Sequence, residues 1–360
     1  MKAKIEDNTL LRHSISPEAT IREAMKRINA LSGDSMTLFA TDPTGMILGS
    51  VTDGDIRRAL IGGHELSDKV ECVMNRDFLH ANVGDDLSII MADGRKRHIE
   101  LMPVMDNGRP VEFIDLRVTH AMLPLEAVLM AGGRGERLRP LTDDIPKPLL
   151  PVGDKPIIDY NIEELEACGI RKIFVTVNYK GEMIREHFAN RKGRAAVECI
   201  TEPKRLGTFG SLAYIESISS DNIIVMNSDL LSSIDFEGMY IHHLKTKSDF
   251  TIASVPYAVS VPFAIMRMKG QRVKSLEEKP TYNYFANGGV YILKTELIGQ
   301  ISKGEYLDAP DFIMDLINKG CNVGAFPING TWVDIGSPDD YRMANELVSR
   351  KTLTQSHSKF

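Results

Sequence analysis

The chain has few cysteines and no long apolar run. Its 360 residues include four cysteines, which stand singly, with no CxxC pair and no Cys–His spacing. This argues against a structural metal site or a disulfide framework and favours reduced core thiols. The most apolar stretch, residues 250–266, contains two prolines and is shorter than the about 20 helical residues that span a bilayer. With a polar N-terminus that lacks a signal-peptide core, the sequence predicts a cytoplasmic protein without a membrane partner.

The charge balance excludes a further class of function. Lysine and arginine total 43 against 49 acidic residues, a formal net charge of -6, so nucleic acid is not an expected partner. Local basic clusters must therefore serve a local purpose. The length is sufficient for two or more domains, each with its own core.

Residues 129–151, LMAGGRGERLRPLTDDIPKPLLP, carry the strongest local signal. The apolar run EAVLMA predicts a buried strand that ends at Gly132 and Gly133. Glycines let a backbone approach a ligand closely, and cations suit phosphates. The cations of this proline-rich loop are Arg134, Arg137, Arg139 and Lys147. The loop matches neither GxxxxGK[ST] nor GxGxxG, so we expect a phosphate-binding loop of another type.

Residues 1–120 contain two weakly similar halves. In the first, ATIREAMKRINA predicts an amphipathic helix, TLFATD and MILGSVTD predict two strands, and a helix is expected after Gly54. In the second, VGDDLSIIMADGRKR predicts a helix, and two strands follow, the last ending near Asp115. The same order of elements thus repeats at a period of about 60 residues.

From residue 125 to about 350, predicted strands and helices alternate. Such alternation predicts an α/β fold with a mainly parallel sheet and ligands at the carboxyl ends of the strands. The segment GTFGSLAYIESI predicts a glycine-rich turn that leads into a helix, and residues 261–294 predict strands and turns of an irregular lid. The polar residues 351–360 are expected to form a flexible tail.

Polar side chains recur at the predicted strand ends of this second region. Asp229 and Asp334 each follow an apolar strand, and together they could hold Mg²⁺ with substrate phosphates in its shell. The turn Glu278-Lys279 places a lysine beside a carboxylate, and Asn287 precedes two glycines, which suits hydroxyl recognition. Each of these features taken singly is more often a turn former, a helix cap or a solvated charge, so the interpretation depends on their joint order.

That order resembles the sugar-1-phosphate nucleotidylyltransferases over nearly all of residues 125–348, and AGGRGERLRPLTDDIPKPLLPVGDKPII matches the opening signature of the family closely. The resemblance implies a Rossmann-like, GT-A-like domain over residues 125–350. It also implies Mg²⁺-dependent attack of a hexose 1-phosphate on the α-phosphate of a nucleoside triphosphate, without a protein base. The implied roles are nucleotide binding by Ala131, Gly132, Gly133, Glu202, Gly207 and Thr208; catalysis by Arg137 and Lys147; metal binding by Asp229 and Asp334; and sugar-phosphate binding by Glu278, Lys279, Asn287 and Gly288.

Glu202 carries a hypothesis about the base. Within ITEPKRLGTFGSL, many uridylyl- and thymidylyltransferases of the resembling family have Gln where this chain has Glu202. An amide both donates and accepts, whereas a carboxylate only accepts, which suits the two adjacent donors of guanine. We therefore expect GTP as the donor. In the alternative, Glu202 faces solvent or caps its loop.

The run GSVTDGDIRR resembles the signature of a CBS domain, and the two halves of residues 1–120 resemble a tandem CBS (Bateman) α+β domain. The resemblance implies a regulatory nucleotide near Thr52 and Asp53, with phosphate favoured at the following helix N-terminus. EFIDLR lacks Ser or Thr before Asp115, so a second nucleotide site is not expected. The alternative is a degenerate pair that serves only for dimerisation. A homo-oligomer, dimer or tetramer, is expected.

The identity of the sugar depends on domain order alone. A CBS pair ahead of this catalytic domain resembles the glucosamine-1-phosphate guanylyltransferases of legionaminic acid synthesis. Mannose-1-phosphate guanylyltransferases are the close alternative, followed by glucose-1-phosphate uridylyl- or thymidylyltransferases. A non-catalytic nucleotide-sensing protein is an alternative of another class, against which the complete set of predicted catalytic and metal-binding residues argues.

Overall fold

The structure, a computed structural model, describes residues 7–31, 34–117, 119, 121–189, 191 and 193–357, without the side chains of residues 7–9 and 351–357. The chain divides into two compact units, residues 1–122 and 123–360. The domain bounds expected from the sequence, 1–120 and 125–350, lie close to this division.

The first unit contains two three-stranded sheets of the same design. In each sheet a short strand pairs in parallel with the middle strand, and the middle strand pairs antiparallel with the third. The strands are β1 (Ser14–Ile15), β2 (Thr37–Thr41), β3 (Ile47–Thr52), β4 (Ala81–Asn82), β5 (Leu101–Asp106) and β6 (Arg109–Asp115). The helices are α1 (Asp7–His13), α2 (Ile21–Ala30), α3 (Asp53–Ile61) and α4 (Leu87–Lys96). The predicted internal repeat is therefore present.

Helix α3 begins two residues earlier than the sequence indicated. Thr52 is its N-cap: the hydroxyl accepts a hydrogen bond from the Asp55 amide at 3.3 Å, and the Asp55 carboxylate accepts one from the Thr52 amide at 2.9 Å. This reciprocal pair satisfies two otherwise free amides of the first turn. The helix therefore starts at Asp53 rather than after Gly54.

The second unit is built on one seven-stranded sheet, flanked by helices and short strand pairs. The strand order of the sheet is β11-β10-β7-β12-β17-β14-β18. The strands of the unit are β7 (Glu126–Met130), β8 (Pro151–Val152), β9 (Lys155–Pro156), β10 (Lys172–Val177), β11 (Ala196–Thr201), β12 (Asn222–Asn227), β13 (Leu230–Ser232), β14 (Phe250–Ser260), β15 (Ile265–Lys269), β16 (Arg272–Glu277), β17 (Thr281–Lys294), β18 (Val323–Pro327) and β19 (Trp332–Asp334). The helices are α5 (Ile157–Ala167), α6 (Gly181–Ala189), α7 (Phe236–Lys245), α8 (Ala309–Asn318) and α9 (Pro338–His357).

The sheet is mainly parallel, as predicted. Strands β11, β10, β7 and β12 run in parallel, whereas β17 is antiparallel to both of its neighbours, β12 and β14. The central strands are buried along nearly their whole length, as expected for a sheet that is covered on both faces. The carboxyl ends of β7 and β12 consequently meet at one edge, where the candidate site lies.

Two expectations differ from the structure. The segment GTFGSLAYIESI forms only a short 3₁₀ helix, Gly210–Tyr214, because the amides of Phe209 and Gly210 both donate to the Leu307 carbonyl, at 2.9 and 3.2 Å, instead of opening a helix. At the C-terminus, α9 runs through residue 357, while residues 358–360 of the expected tail lie outside the described residues. No helix of the described chain is long and apolar enough to cross a membrane.

Residues 256–285 form an exposed two-stranded extension, here called the ribbon. It consists of the outer halves of β14 and β17, which pair from Pro256–Phe285 to Ser260–Thr281, and the β15–β16 hairpin between them. Nearly all of its residues are exposed. The region that the sequence indicated as an irregular lid is therefore regular β-structure outside the core.

Candidate active site

The loop after β7 folds back on itself. The Thr142 hydroxyl donates to the Gly135 carbonyl at 2.9 Å, and Gly135 has a φ of 62°, which favours glycine. A Cβ at this position would lie 3.0 Å from Cβ of Lys147. The fold of the loop therefore brings Lys147, twelve residues further along the chain, next to the glycine-rich segment.

Two aspartates far apart in the sequence meet through a short strand pair. Strand β13 pairs antiparallel with β19, with Leu230 opposite Asp334, and the Ile335 amide donates to the Asp229 carbonyl at 3.1 Å. Lys147 Nζ forms an ion pair with Asp229 and lies 3.9 Å from Asp334 Oδ1. The predicted catalytic lysine and the two predicted metal ligands thus form one cluster.

Burial and charge shape this cluster. The Lys147 side chain is only 11% exposed. Burial raises the pKa of Asp334, the negative charge of Asp229 raises it further, and Lys147 and Arg137 oppose that rise. Arg137 itself lies against Gly336, where an added Cβ would be 3.1 Å from its Nη2. Four charges of alternating sign are therefore concentrated at the mouth of the loop.

The carboxylates fit a divalent cation. Oδ1 of Asp229 and Oδ1 of Asp334 are buried and have no hydrogen-bond partner among the described residues, which leaves both oxygens available as ligands. The described residues contain no cluster of three or more His, Cys, Asp or Glu side chains arranged for a metal. Two carboxylates suffice for a cation that takes its other ligands from substrate phosphates and water, as Mg²⁺ does.

Glu202 reaches the first glycine of the loop. It is 7% exposed, and a Cβ added at Gly132 would lie 2.5 Å from its Oε1. Burial raises the pKa of the Glu202 carboxyl, and a hydrogen bond from the Leu206 backbone opposes the rise. Glu202 therefore does not face solvent, whereas its alternative role as a cap of the loop stays open.

Three adjoining depressions form one cleft in this unit. The first, a cavity of about 200 Å³, is here called the nucleotide depression because the predicted nucleotide-binding residues Gly132, Glu202 and Gly207 line it. It shares Thr208, Asn227 and Asp308 with a second depression of about 370 Å³, here called the acceptor depression because the predicted sugar-binding residues Asn287 and Gly288 line it. It shares Gly133, Arg205 and Asp229 with a third of about 330 Å³, the loop depression, whose lining also includes Arg137 and Lys147.

Most predicted site residues of this unit line the cleft, but three do not. Asn287 and Gly288 line the acceptor depression together with Asp334, whereas Ala131 is buried and lines none of the three depressions. Glu278 and Lys279 are exposed at the turn between β16 and β17, and neither lines the three depressions. Their assignment to sugar-phosphate binding therefore stays a prediction.

Sequence reasoning missed several lining residues. One of them is Asp308, the N-cap residue of α8, whose side chain makes no capping hydrogen bond to that helix. Its carboxylate instead accepts hydrogen bonds from the Thr208 amide at 3.1 Å and from the Tyr306 hydroxyl at 2.7 Å. Trp332 was another: its indole donates to the Gly288 carbonyl at 2.9 Å. Its position as the chain's single tryptophan, two residues before Asp334, was an available signal. Arg205 and Asn227 had no such signal.

The first unit has a separate cavity of about 480 Å³. Thr52, Asp53, Arg57, Arg58 and Arg97 are among the residues that line it, and Asp53 forms an ion pair with Arg57 at 2.5 Å. The cavity thus combines the predicted nucleotide residues with cationic side chains that suit phosphate.

The corresponding strand end of the second half is different. Asp115 is paired with Arg117 at 2.6 Å, and Arg117 also lies 3.5 Å from Asp34. This arginine lowers the pKa of Asp115. Asp115 and Asp53 are thus each paired with an arginine of their own unit, but only Asp53 is among the residues that line the cavity.

Comparison with known proteins agrees with the family resemblances of the sequence. The family model described as "Nucleotidyl transferase" matches residues 126–351, and the CBS domain model matches residues 12–62. A Sulfolobus acidocaldarius protein named as a mannose-1-phosphate guanyltransferase is 30% identical over 232 residues, which cover 63% of this chain and 64% of that protein. The D-glycero-alpha-D-manno-heptose 1-phosphate guanylyltransferase of Aneurinibacillus thermoaerophilus is 30% identical over 227 residues, which cover 62% of this chain and 97% of that protein.

A solved structure supports the fold. A crystal structure from Bacillus anthracis, titled as a glucose-1-phosphate thymidylyltransferase in complex with a sucrose, superposes with a TM-score of 0.50 at 21% identity. The superposition covers 62% of this chain and 94% of that one. The second unit therefore has a fold that is already known among solved proteins.

Proposed function

The chain belongs to the nucleotidyl transferase family, and on that premise we propose that it is a sugar-1-phosphate guanylyltransferase. It would join a hexose 1-phosphate to the GMP moiety of GTP and release pyrophosphate. The observation that carries the proposal is the cluster of Lys147, Asp229 and Asp334 at the mouth of the glycine-rich loop. The names of the related guanylyltransferases support the same class of reaction.

The reaction needs neither a nucleophilic side chain nor a general base from the protein, because the sugar 1-phosphate is itself the nucleophile. A phosphate oxygen of the sugar 1-phosphate forms the new bond to the α-phosphorus, and the bond from that phosphorus to the bridging oxygen of pyrophosphate breaks. Both reactants are polyanions, so their mutual repulsion is the main barrier. Lys147 and Arg137, which line the loop depression, would offset that repulsion and stabilise the charge that develops in the transition state.

Asp229 and Asp334 would hold a divalent cation, for which we propose Mg²⁺. Its chemistry would be to neutralise charge on the nucleotide phosphates. The assignment is supported by the Oδ1 atoms of both carboxylates, which accept no hydrogen bond within the described chain. Lys147 would orient the cluster through its ion pair with Asp229.

Guanine selection is assigned to Glu202. The buried carboxylate lines the nucleotide depression beside Gly132, and as an acceptor it can receive both N1–H and the 2-amino group of guanine. The test is Glu202→Gln, with turnover measured for GTP, UTP and dTTP. We expect a marked fall in preference for GTP. Glu198→Gln, at an exposed position on β11, the strand that ends just before Glu202, is the matched control. Unchanged base preference in Glu202→Gln would remove the assignment.

For the acceptor sugar we propose glucosamine 1-phosphate, because the order of a CBS pair followed by the catalytic domain resembles those enzymes. Mannose 1-phosphate is the second candidate, supported by the names of relatives that match this unit. The acceptor depression, with Asn287 and the Gly288 backbone in its lining, offers polar groups for sugar hydroxyls.

One panel tests both the reaction class and the sugar. Pyrophosphate release is measured with Mg²⁺ for GTP, UTP and dTTP, each combined with the 1-phosphates of glucosamine, mannose and glucose. Release with GTP and glucosamine 1-phosphate is the expected result. Release with mannose 1-phosphate alone would replace the sugar assignment. No release with any pair would favour a nucleotide-sensing protein without catalysis.

We further propose that the cavity at Thr52 and Asp53 binds a regulatory nucleotide. Its size and its three arginines support the proposal. Titration of the full chain with AMP, ATP, GDP and the product nucleotide sugar tests it, with Asp53→Asn as the variant that should weaken binding. If none of these ligands binds, the alternative of a pair that serves only for dimerisation is favoured.

A further inference from the structure

Asp308 carries a carboxylate that its own helix does not use. An aspartate at the N-cap position normally accepts a hydrogen bond from an amide of the first helical turn, but Asp308 makes no such bond to α8. The Thr208 hydroxyl instead accepts a hydrogen bond from the Ala309 amide, the first of the helix, at 2.7 Å. The Asp308 carboxylate is therefore available for another purpose.

Two neutral residues hold this carboxylate in the wall of the cleft. The Thr208 amide donates to Oδ1 at 3.1 Å, and the Tyr306 hydroxyl donates to Oδ2 at 2.7 Å. A Cβ added at Gly207 would lie 2.8 Å from Oδ1, so the carboxylate packs against a predicted nucleotide-binding glycine. These contacts fix the position of the carboxylate, and neither hydrogen-bond partner compensates its negative charge.

Asp308 lies at the junction of two depressions. The nucleotide and acceptor depressions share Thr208, Asn227 and Asp308 in their lining, and of these three only Asp308 is charged. In the proposed reaction, the α-phosphate of the nucleotide and the 1-phosphate of the sugar meet at this junction. C1 of the sugar then lies close to it, and the substituent on the neighbouring C2 comes within reach of Asp308.

The charges that line the cleft favour a positive group at this place. The described residues that line the acceptor depression include Asp308 and Asp334 but no lysine, arginine or histidine, whereas three arginines and Lys147 line the loop depression. Asp334 is assigned to the metal. The charge of Asp308 repels an incoming sugar phosphate unless the sugar itself carries a positive charge, since binding sites complement the charge of their ligands.

We propose that Asp308 determines the specificity for the acceptor by binding a protonated amine on C2 of the sugar. The inference rests on the proposed function and deepens it, because it defines the substrate class as amino sugar 1-phosphates whose amine is free. The ammonium group donates a charge-assisted hydrogen bond to the carboxylate. A hydroxyl on C2 donates only as a neutral group, and an N-acetyl group carries no positive charge. Asp308 thus favours glucosamine 1-phosphate over mannose 1-phosphate independently of the domain order.

The test compares glucosamine 1-phosphate with glucose 1-phosphate, which differ only in the group on C2. kcat/KM for each is measured with GTP and Mg²⁺ in the full wild-type chain and in Asp308→Asn, which keeps the shape of the side chain. The wild type should prefer glucosamine 1-phosphate over both glucose 1-phosphate and N-acetylglucosamine 1-phosphate. In Asp308→Asn the preference over glucose 1-phosphate should fall about 10- to 100-fold, the effect of losing a hydrogen bond between charged groups.

Two further variants support this comparison. Asp311→Asn is the matched control, because Asp311 is exposed in the first turn of the same helix and lines none of the three depressions. It should keep the wild-type preference. Tyr306→Phe removes one hydrogen bond that holds the carboxylate and should lower the preference several-fold. Thermal unfolding verifies that each variant is folded. If Asp308→Asn does not fold, Tyr306→Phe decides in its place, and an unchanged preference there would overturn the role of Asp308.

An equal preference in folded Asp308→Asn and in the wild type would also overturn that role. In the same variant, kcat/KM is measured with GTP and with 2′-deoxy-GTP. If Asp308→Asn loses the discrimination between these nucleotides and keeps the sugar preference, the carboxylate binds the ribose of the nucleotide, and the inference is wrong.

Failure of this inference can be distinguished from failure of the proposed function. A wild-type chain that uses GTP but does not prefer the free amine retains the reaction and contradicts the role of Asp308. A chain that turns over no substrate pair contradicts the proposed function. Calorimetric titration of glucosamine 1-phosphate and glucose 1-phosphate into the wild type and Asp308→Asn then decides the inference. Weaker binding of the amino sugar in the variant is expected, and equal binding would overturn it.

Discussion

The nucleotide side of the cleft and the ribbon carry predicted site residues in very different surroundings. Lys147 and Glu202 are almost fully buried and contact other predicted site residues. Lys279 lies on an exposed turn outside the three depressions. Close packing holds the first group in position, whereas the second group is held only by the two strands of the ribbon. A binding residue on such an extension can move without disturbing the core.

Removing a carboxylate from the nucleotide side of the cleft should have the largest effect on activity. We expect Asp229→Asn to lower kcat about 1,000-fold, because the cluster would lose a metal ligand and the partner of Lys147. The measurement is pyrophosphate release at saturating substrates. Asp339→Asn, an exposed aspartate on α9, is the control and should retain full activity. Comparable activity in the two variants would contradict the metal assignment.

Acid should destabilise the packing around the first half of β14, which is buried. The outer half of the same strand belongs to the exposed ribbon. His243 is 2% exposed and contacts the Thr251 hydroxyl at 2.8 Å. Burial lowers its pKa from 6.5 to about 4. Because the folded pKa lies below the unfolded one, the stabilisation is fully present above pH 6.5 and is lost as the pH falls towards 4. The loss should reach roughly 3 kcal/mol of unfolding free energy.

Denaturant unfolding followed by Trp332 fluorescence, at several pH values, measures this loss. His243→Gln should show a shallower dependence on pH over that window, although its stability at neutral pH is lower. His242→Gln, at the neighbouring position, should retain the wild-type slope. An equal slope in His243→Gln would contradict the pKa shift.

A single methyl group should distinguish the two neighbouring glycines of the loop. In Gly132→Ala the new Cβ would lie 2.5 Å from Glu202 Oε1, whereas at Gly133 no atom of the described residues lies within 4 Å. Because the Glu202 carboxylate can shift, Gly132→Ala should destabilise the protein by only about 1 kcal/mol, and Gly133→Ala by less. Thermal unfolding of the two variants measures the difference. Equal destabilisation would show that Glu202 does not occupy this position.

The smallest effect is expected on the ribbon. Lys279→Met should raise the KM for the sugar 1-phosphate by about 10-fold, the effect of one exposed charge–phosphate contact, and should leave the KM for GTP unchanged. Lys274→Met, at another exposed position of the ribbon, is the control. If Lys279→Met changes neither constant, the predicted sugar-phosphate role of this turn is wrong.

Several features of the fold could be predicted because they depend on local patterns. The alternating elements of residues 125–350 indicated a mainly parallel sheet, which the structure confirms, since each central strand is an uninterrupted apolar run. The segment GTFGSLAYIESI was misassigned because its amides donate to the distant Leu307 carbonyl. Asp308 was missed as a lining residue for the same reason: its partner Thr208 lies 100 residues earlier in the chain.

The sequence by itself determined the chemical groups of this protein: a glycine-rich loop with its cations, two aspartates at strand ends, and a repeated N-terminal unit. These are local features, and they survive any change in how distant segments pair. Only the tertiary structure decided that Asp229 and Asp334 meet, through the register of β13 with β19. It also decided that Glu202 lies against Gly132 while the ribbon stays uncovered. Those outcomes depend on long-range pairing and packing, in which each position is set by residues far away in the chain.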